Sequence, residues 1–209
     1  MTTLAVTLIS VTGTLGGTLG GAVLSQRASR AEAAEQNRRV DREQELARAE
    51  QALQGKRDLY ARLNTAARAY RIAGQDSIRA SERGERLDPA LLDATKEAWA
   101  EQYSQAQMAL TKGVLEVASA VNRSLQVGYS VVKQLASTPD GAYEWAKAWF
   151  SGPLSDGVYL LRVTLRHDLG VEMEPHFEQT RTQMLAALDS ARSNLERLLA
   201  TERAPRRRT

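Results

Sequence analysis

Hydrophobic and polar positions divide this chain into stretches of different character. Residues Thr2 to Gln26 carry no charged side chain, and five glycines, Gly13, Gly16, Gly17, Gly20 and Gly21, fall inside that window. At about 100° per residue the glycines gather on an arc of roughly 140°, with Leu4, Leu8, Val11, Leu15 and Leu19 on the other side. The two faces suit a membrane helix that packs its glycine face against another helix and turns its leucines to lipid, because small residues let two backbones approach closely. The next stretch, QRASRAEAAEQNRRVDREQELARAEQ, has little apolar content and is read as a charged helical stalk. Beyond it, Leu46, Leu53, Tyr60 and Ala67 are spaced by seven, and Ala49, Leu63 and Tyr70 form a second seam that Lys56 interrupts. That spacing fits a short coiled coil or one face of a bundle helix, and the bundle reading is preferred from Leu59 to Ile72.

Residues Gly74 to Leu87, GQDSIRASERGERL, read as a polar break. Asp88 at an N-cap and Pro89 at the first helical position start the next helix. From there a stripe at alternating spacings of three and four runs through Tyr103, Ala106, Leu110, Val114, Val117, Val121, Ser124, Gly128, Val131 and Leu135, and predicts one long core-facing helix, relaxed near Gly113 or Gly128. Thr138-Pro139-Asp140-Gly141 turns the chain, and a short aromatic helix, AYEWAKAWF, ends at Gly152-Pro153. Leu154, Val158, Leu161, Leu165 and Leu169 fit a further helical face with Gly170 as its C-cap; VYLLRVTL alone also reads as a strand, but nothing in the chain pairs with it. The last helix begins near Pro175, with Phe177, Met184, Leu188, Ala191, Leu195 and Leu198 on one side. The fold class is all-α: a transmembrane anchor at residues 1–26, a charged stalk at 27–58, an antiparallel helical bundle at 59–202 and a basic tail at 203–209.

Length and composition narrow this picture only slightly. A chain of 209 residues rich in alanine and arginine, without cysteine, has room for one helical module and excludes disulfides, thiol catalysis and cysteine-based zinc sites. The net charge of +3 is accounted for by Arg206, Arg207 and Arg208, so overall charge gives no reason to expect a nucleic-acid partner. Charge asymmetry matters more at the anchor. Arg27, Arg30, Arg38, Arg39 and Arg42 follow the apolar window and no charged side chain precedes it, which by the positive-inside rule puts the N-terminus outside and the body in the cytoplasm. A cleaved signal peptide would want a positive region ahead of the apolar run, and Met1-Thr2-Thr3 has none. Nine Leu, Ile and Val residues between Leu4 and Leu24 make insertion of a lone helix marginal, so a partner helix over the Gly and Thr face, hence a homo-oligomer in the lipid bilayer, is expected.

Candidate chemistry is sparse. His167 and His176 stand near Asp168, Glu172, Glu174 and Glu178, without the spacing of four that puts two histidines on one helical face. No phosphate loop or nucleophile elbow is present, so no catalytic, metal or cofactor residue is assigned and a non-enzymatic role is expected. Tyr143, Trp145, Trp149 and Phe150 concentrate aromatic side chains. Trp145, Trp149 and Phe150 are candidates for contact with a partner or the membrane interface, against the alternative of a cap on the bundle. Taken with the anchor and stalk, KRDLYARLNTAARAYR at Lys56 to Arg71 resembles uncharacterised membrane-anchored helical proteins of high-GC actinobacteria. That resemblance implies location and architecture, and no activity. The expectation is a membrane-anchored scaffold that self-associates through the glycine face and engages an unidentified cytoplasmic protein; an alternative makes the anchor a subunit of a homo-oligomeric pore, lined by Thr7, Ser10, Thr14 and Thr18.

Overall fold

The computed structural model describes the backbone of residues 3–85, 89–135, 142–171 and 175–203, and side chains within these from Ala34 to Thr201, except at Ala142. The described residues form six helices and no strand: α1 (Thr3–Glu82), α2 (Pro89–Gln107), α3 (Lys112–Leu135), α4 (Ala142–Ser151), α5 (Pro153–Asp168) and α6 (Phe177–Arg203). They fall into two compact units, Met1–Gln54 and Gly55–Thr209, and α1 contributes to both. Among the described residues no helix is long and apolar enough to cross a membrane. The side chains of the expected anchor, with Gly13, Gly16, Gly17, Gly20 and Gly21, lie outside the described residues, as do Asp88 and the tail at 204–209.

In the first unit, every described side chain from Ala34 to Gln54 is exposed. Val40, Leu46 and Leu53 keep 43%, 70% and 39% of their surface in water. The heptad spacing that links Leu46 and Leu53 to Tyr60 and Ala67 therefore joins two different environments. Tyr60 and Ala67 are 2% and 0% exposed.

The second unit is an antiparallel bundle whose directions follow from its contacts. Tyr60 near the start of the packed part of α1, Thr111 just before α3, and Asp168 at the end of α5 meet at one end. Arg181 near the start of α6 bonds to Glu116 at the same end of α3. At the opposite end Phe150 of α4 sits against Gly74 of α1 and Gly128 of α3. So α1, α3 and α6 run one way and α5 runs back among them. The stripe predicted for α3 is its buried face: Val114, Val117, Val121, Ser124, Val131 and Leu135 are each 1% exposed or less. Leu154, Leu160 and Leu161 of α5 are similarly enclosed, and the sequence VYLLRVTL is helical.

Two element boundaries differ from the expectation. The predicted polar break at 74–87 begins too early, since α1 continues to Glu82. Glycine inside a helix costs about 1 kcal/mol relative to alanine, but Gly74 lets the Phe150 ring approach so closely that a Cβ there would lie 2.1 Å from Cε1. The helix stops where Gly84 takes φ 70°, with Gly84 N–H donating to the Ser81 carbonyl and Glu85 N–H to that of Ala80. Gly170, at φ 69°, closes α5 by the same pattern, donating to His167 while Val171 donates to Arg166. Both are left-handed caps that an L side chain would strain.

The predicted long helix through Tyr103 and Leu135 is in fact two helices with a reversal at 108–111. Neither Gly nor Pro marks that turn. Instead the Ala106 carbonyl accepts from both Ala109 and Leu110 N–H, and Leu115 N–H finds the Thr111 carbonyl, so hydrogen bonds hold the chain on both sides of the bend. The folded-back α2 lies antiparallel along α3. Trp99 Nε1 donates to Asn122 at 2.8 Å, Tyr103 and Ser119 share a hydroxyl bond of 2.9 Å, and Tyr129 donates to Asp93 at 2.8 Å.

Candidate functional site

The residues around Lys56 to Arg71 have two uses that the sequence shows on one helix but does not separate. One face, through Leu59, Tyr60, Leu63, Ala67 and Tyr70, enters the core. A flanking stripe at spacings of four and three, Arg57, Ala61, Asn64, Arg68 and Arg71, lines the edge of a groove whose other wall is α5. Because α5 runs antiparallel to α1, its residues Ser155, Tyr159, Arg162, Arg166 and Leu169 meet that stripe in reverse order.

The groove holds two adjoining hollows of about 180 and 260 Å³ that share Asn64 and Arg162. Arg68, Arg71 and Arg162 border the first, with Ser155 and Tyr159; Arg57, Arg162 and Arg166 border the second, with Tyr60. Five arginines thus line the groove, and among the described residues no Asp or Glu does. Among the described residues Arg57, Arg68, Arg71 and Arg162 have no acidic partner. Partial burial, and secondarily the charge of Arg68, hold the Arg71 guanidinium below its ordinary value. Arg162 lies over the Tyr159 ring, 5.0 Å from its centroid, and Tyr159 keeps 49% of its surface exposed. The Asn64 side-chain oxygen is buried and has no hydrogen-bond partner among the described residues. Such an arrangement attracts anions, and a guanidinium fork matches the paired oxygens of a phosphate or carboxylate.

At one end of the groove stands a polar node. Asp168 accepts from Lys56 Nζ at 2.6 Å, from the Tyr60 hydroxyl at 2.5 Å and from Thr111 Oγ1 at 2.8 Å, tying α1 and the α2–α3 turn to the end of α5. A carboxylate at a helix C-terminus meets the negative end of the helix dipole, so these donors compensate an unfavourable placement. Burial works to raise the Asp168 carboxyl, but the bonds from Lys56, Tyr60 and Thr111 outweigh it and hold the group below the usual carboxylate range. Burial first, then the bond to Asp168, pushes the Tyr60 phenol far above its ordinary value. Lys56, the apparent interruption of a hydrophobic seam, is the cation of this node.

The other sequence candidates lie elsewhere. Trp149 and Phe150 are 3% and 2% exposed and belong to the core, while Trp145 is half-buried against it. The aromatic cluster therefore caps the bundle, and neither Trp149 nor Phe150 offers its face to a partner or a bilayer. Among the described residues, the side chains between His167 and Glu178 do not converge. His167 stacks on Phe177 at 4.0 Å, Asp168 faces Lys56, Glu178 pairs with Arg181, and Glu172 and Glu174 lie outside the described residues. Among the described residues no group of three or more His, Cys, Asp or Glu is arranged to hold a metal ion. Sequence reasoning overlooked the arginine groove. Its available signal was the four-three spacing of Arg57, Asn64, Arg68 and Arg71 beside an apolar stripe, but nothing linear joins these residues to Arg162. Comparison of the chain with protein-family models, with curated proteins and with solved structures finds no match.

Proposed function

We propose that this protein is a non-enzymatic, membrane-anchored interaction module. In this reading residues 4–24 sit in the bilayer and self-associate through Gly13, Gly16, Gly17, Gly20 and Gly21, and the helical bundle is held on the cytoplasmic side to engage a protein partner. The observation that carries it is the sequence contrast at residue 26: a run of 25 residues without a charge is followed by a stretch whose described side chains, 34–54, are all exposed. A helix polar all round makes no core of its own and serves as a connector or a surface for partners. Bringing two or more copies together in a membrane raises the effective concentration of their bundles for a shared partner, with no active site required.

The test is a membrane dimerisation assay on the wild-type chain and on Gly17→Leu. Leucine at that position keeps backbones apart, so association is expected to fall clearly. Equal association of the two chains would overturn the glycine-face reading, and recovery of the wild-type protein outside the membrane fraction would overturn the anchor.

A further inference from the structure

We propose that the groove between α1 and α5 is a binding site for a phosphate monoester on a hydroxyl-bearing molecule, a phosphorylated polyol in either its free form or as a lipid headgroup. Independent of the proposed anchor, the inference stands on residues of the bundle unit alone. Arg68, Arg71 and Arg162 border one hollow with no acidic residue among them. Like charges facing one another across a groove repel, most strongly at the partly buried Arg71, and an anion with two charges relieves that repulsion while accepting several N–H bonds. A phosphate monoester carries that charge near neutral pH, whereas a single carboxylate brings one charge and two acceptor oxygens.

The hydroxyl part of the ligand follows from Asn64. Asn64 borders both hollows, and its side-chain oxygen is buried with no partner among the described residues. A buried carbonyl oxygen without a partner is unfavourable, and a turn of the Asn64 side chain toward the hollow would let a ligand hydroxyl beside the phosphate supply the donor it lacks. Ser155 stands on the facing α5 wall, and the half-exposed Tyr159 ring on the same helix offers apolar surface beside Arg162 to a sugar or cyclitol ring. The hollows, at about 180 and 260 Å³, fall below the ~300–1,000 Å³ typical of drug-sized ligands. That size favours one phosphorylated ring over a dinucleotide.

Titration calorimetry on the detergent-solubilised full chain tests this with four probes: inositol 1,4-bisphosphate, dioctanoyl phosphatidylinositol 4-phosphate, free inositol and inorganic phosphate. The bisphosphate is expected to bind, and Arg68→Ala and Arg162→Ala, both at exposed positions and so compatible with the fold, each to weaken it about tenfold or more. Asn64→Ala should weaken the phosphorylated polyol and leave inorganic phosphate unchanged. Arg48→Ala, which removes the same charge from the exposed stretch at 34–54, should have no effect. Equal affinity for the bisphosphate and the short-chain lipid identifies a free ester as sufficient; tighter binding of the lipid identifies a headgroup source. The site is overturned if neither phosphorylated probe binds, if Arg48→Ala weakens binding as much as Arg68→Ala, or if free inositol binds as well as its phosphate.

Discussion

The two halves of α1 make an instructive pair. Residues 34–54 and 59–82 belong to one helix and share a heptad spacing of apolar residues, yet the first is exposed on every side and the second carries Leu63, Ala67 and Tyr70 at 0%, 0% and 1% exposure. Spacing is the same in both; supply of a complementary surface is not. The second half meets a large ring that fits against its glycine, a carboxylate for its Tyr60 hydroxyl, and a wall of leucines and valines. Leu46 and Leu53 stay largely open to water. An apolar repeat thus states which face would pack and leaves open whether anything is there to receive it.

The sharpest way to break the contrast is to remove what the second half packs on. Phe150→Ala should cost about 3–5 kcal/mol in urea unfolding, because the ring fills the space between Gly74 and Gly128. Gly74→Ala should cost roughly 1–3 kcal/mol when the ring is present. In the Phe150→Ala background it should become neutral or stabilising, since the methyl then meets no ring and alanine is the better helix former. Additive costs in that cycle would show that the two residues are not in contact.

Next in size is a direct comparison along the helix. Leu63→Ala is expected to lose about 2–5 kcal/mol, and Leu46→Ala to stay within about 0.5 kcal/mol of wild type. Comparable losses at the two positions, measured by denaturant unfolding of dilute protein, would mean that the first half is packed in solution.

The smallest effect belongs to the polar node. Asp168→Asn should cost about 1 kcal/mol near neutral pH, a modest figure because Lys56 keeps 32% of its side chain in water. The fold depresses the Asp168 carboxyl, so its contribution is present above the unfolded value of about 4 and fades as pH falls through the lower folded value. The stability gap between wild type and Asp168→Asn should accordingly close in acid. A gap that stays constant from pH 7 to pH 2 would contradict the assigned bonds.

Much of the bundle was legible before any coordinates. The apolar stripe of α3, the Gly170 cap, the Gly152-Pro153 junction and the face of α6 through Leu188 and Leu195 follow from helical periodicity and backbone chemistry, which are local. The reversal at 108–111 was not, because the stripe keeps its period through the turn: α2 and α3 both face the same core, and a repeat of three and four cannot tell a straight helix from two helices folded onto one another. Gly74 misled for a related reason. A glycine in a polar stretch signals a break only when no side chain needs the room it leaves. The groove was half legible, in the Arg57 to Arg71 stripe, while its opposing wall lies about ninety residues further on.

Sequence by itself determined that this protein is helical, where most of its helices stop, which faces are apolar, and that a charge-free glycine-bearing stretch precedes a charged one. These depend on neighbours three or four residues apart, within reach of local chemistry. Tertiary structure alone decided that Lys56 pairs with Asp168, that Trp149 and Phe150 are core rather than contact residues, and that five arginines from two helices line one groove. Those facts are set by which surfaces meet when the chain folds back, and side chains far apart in sequence acquire a common environment only then.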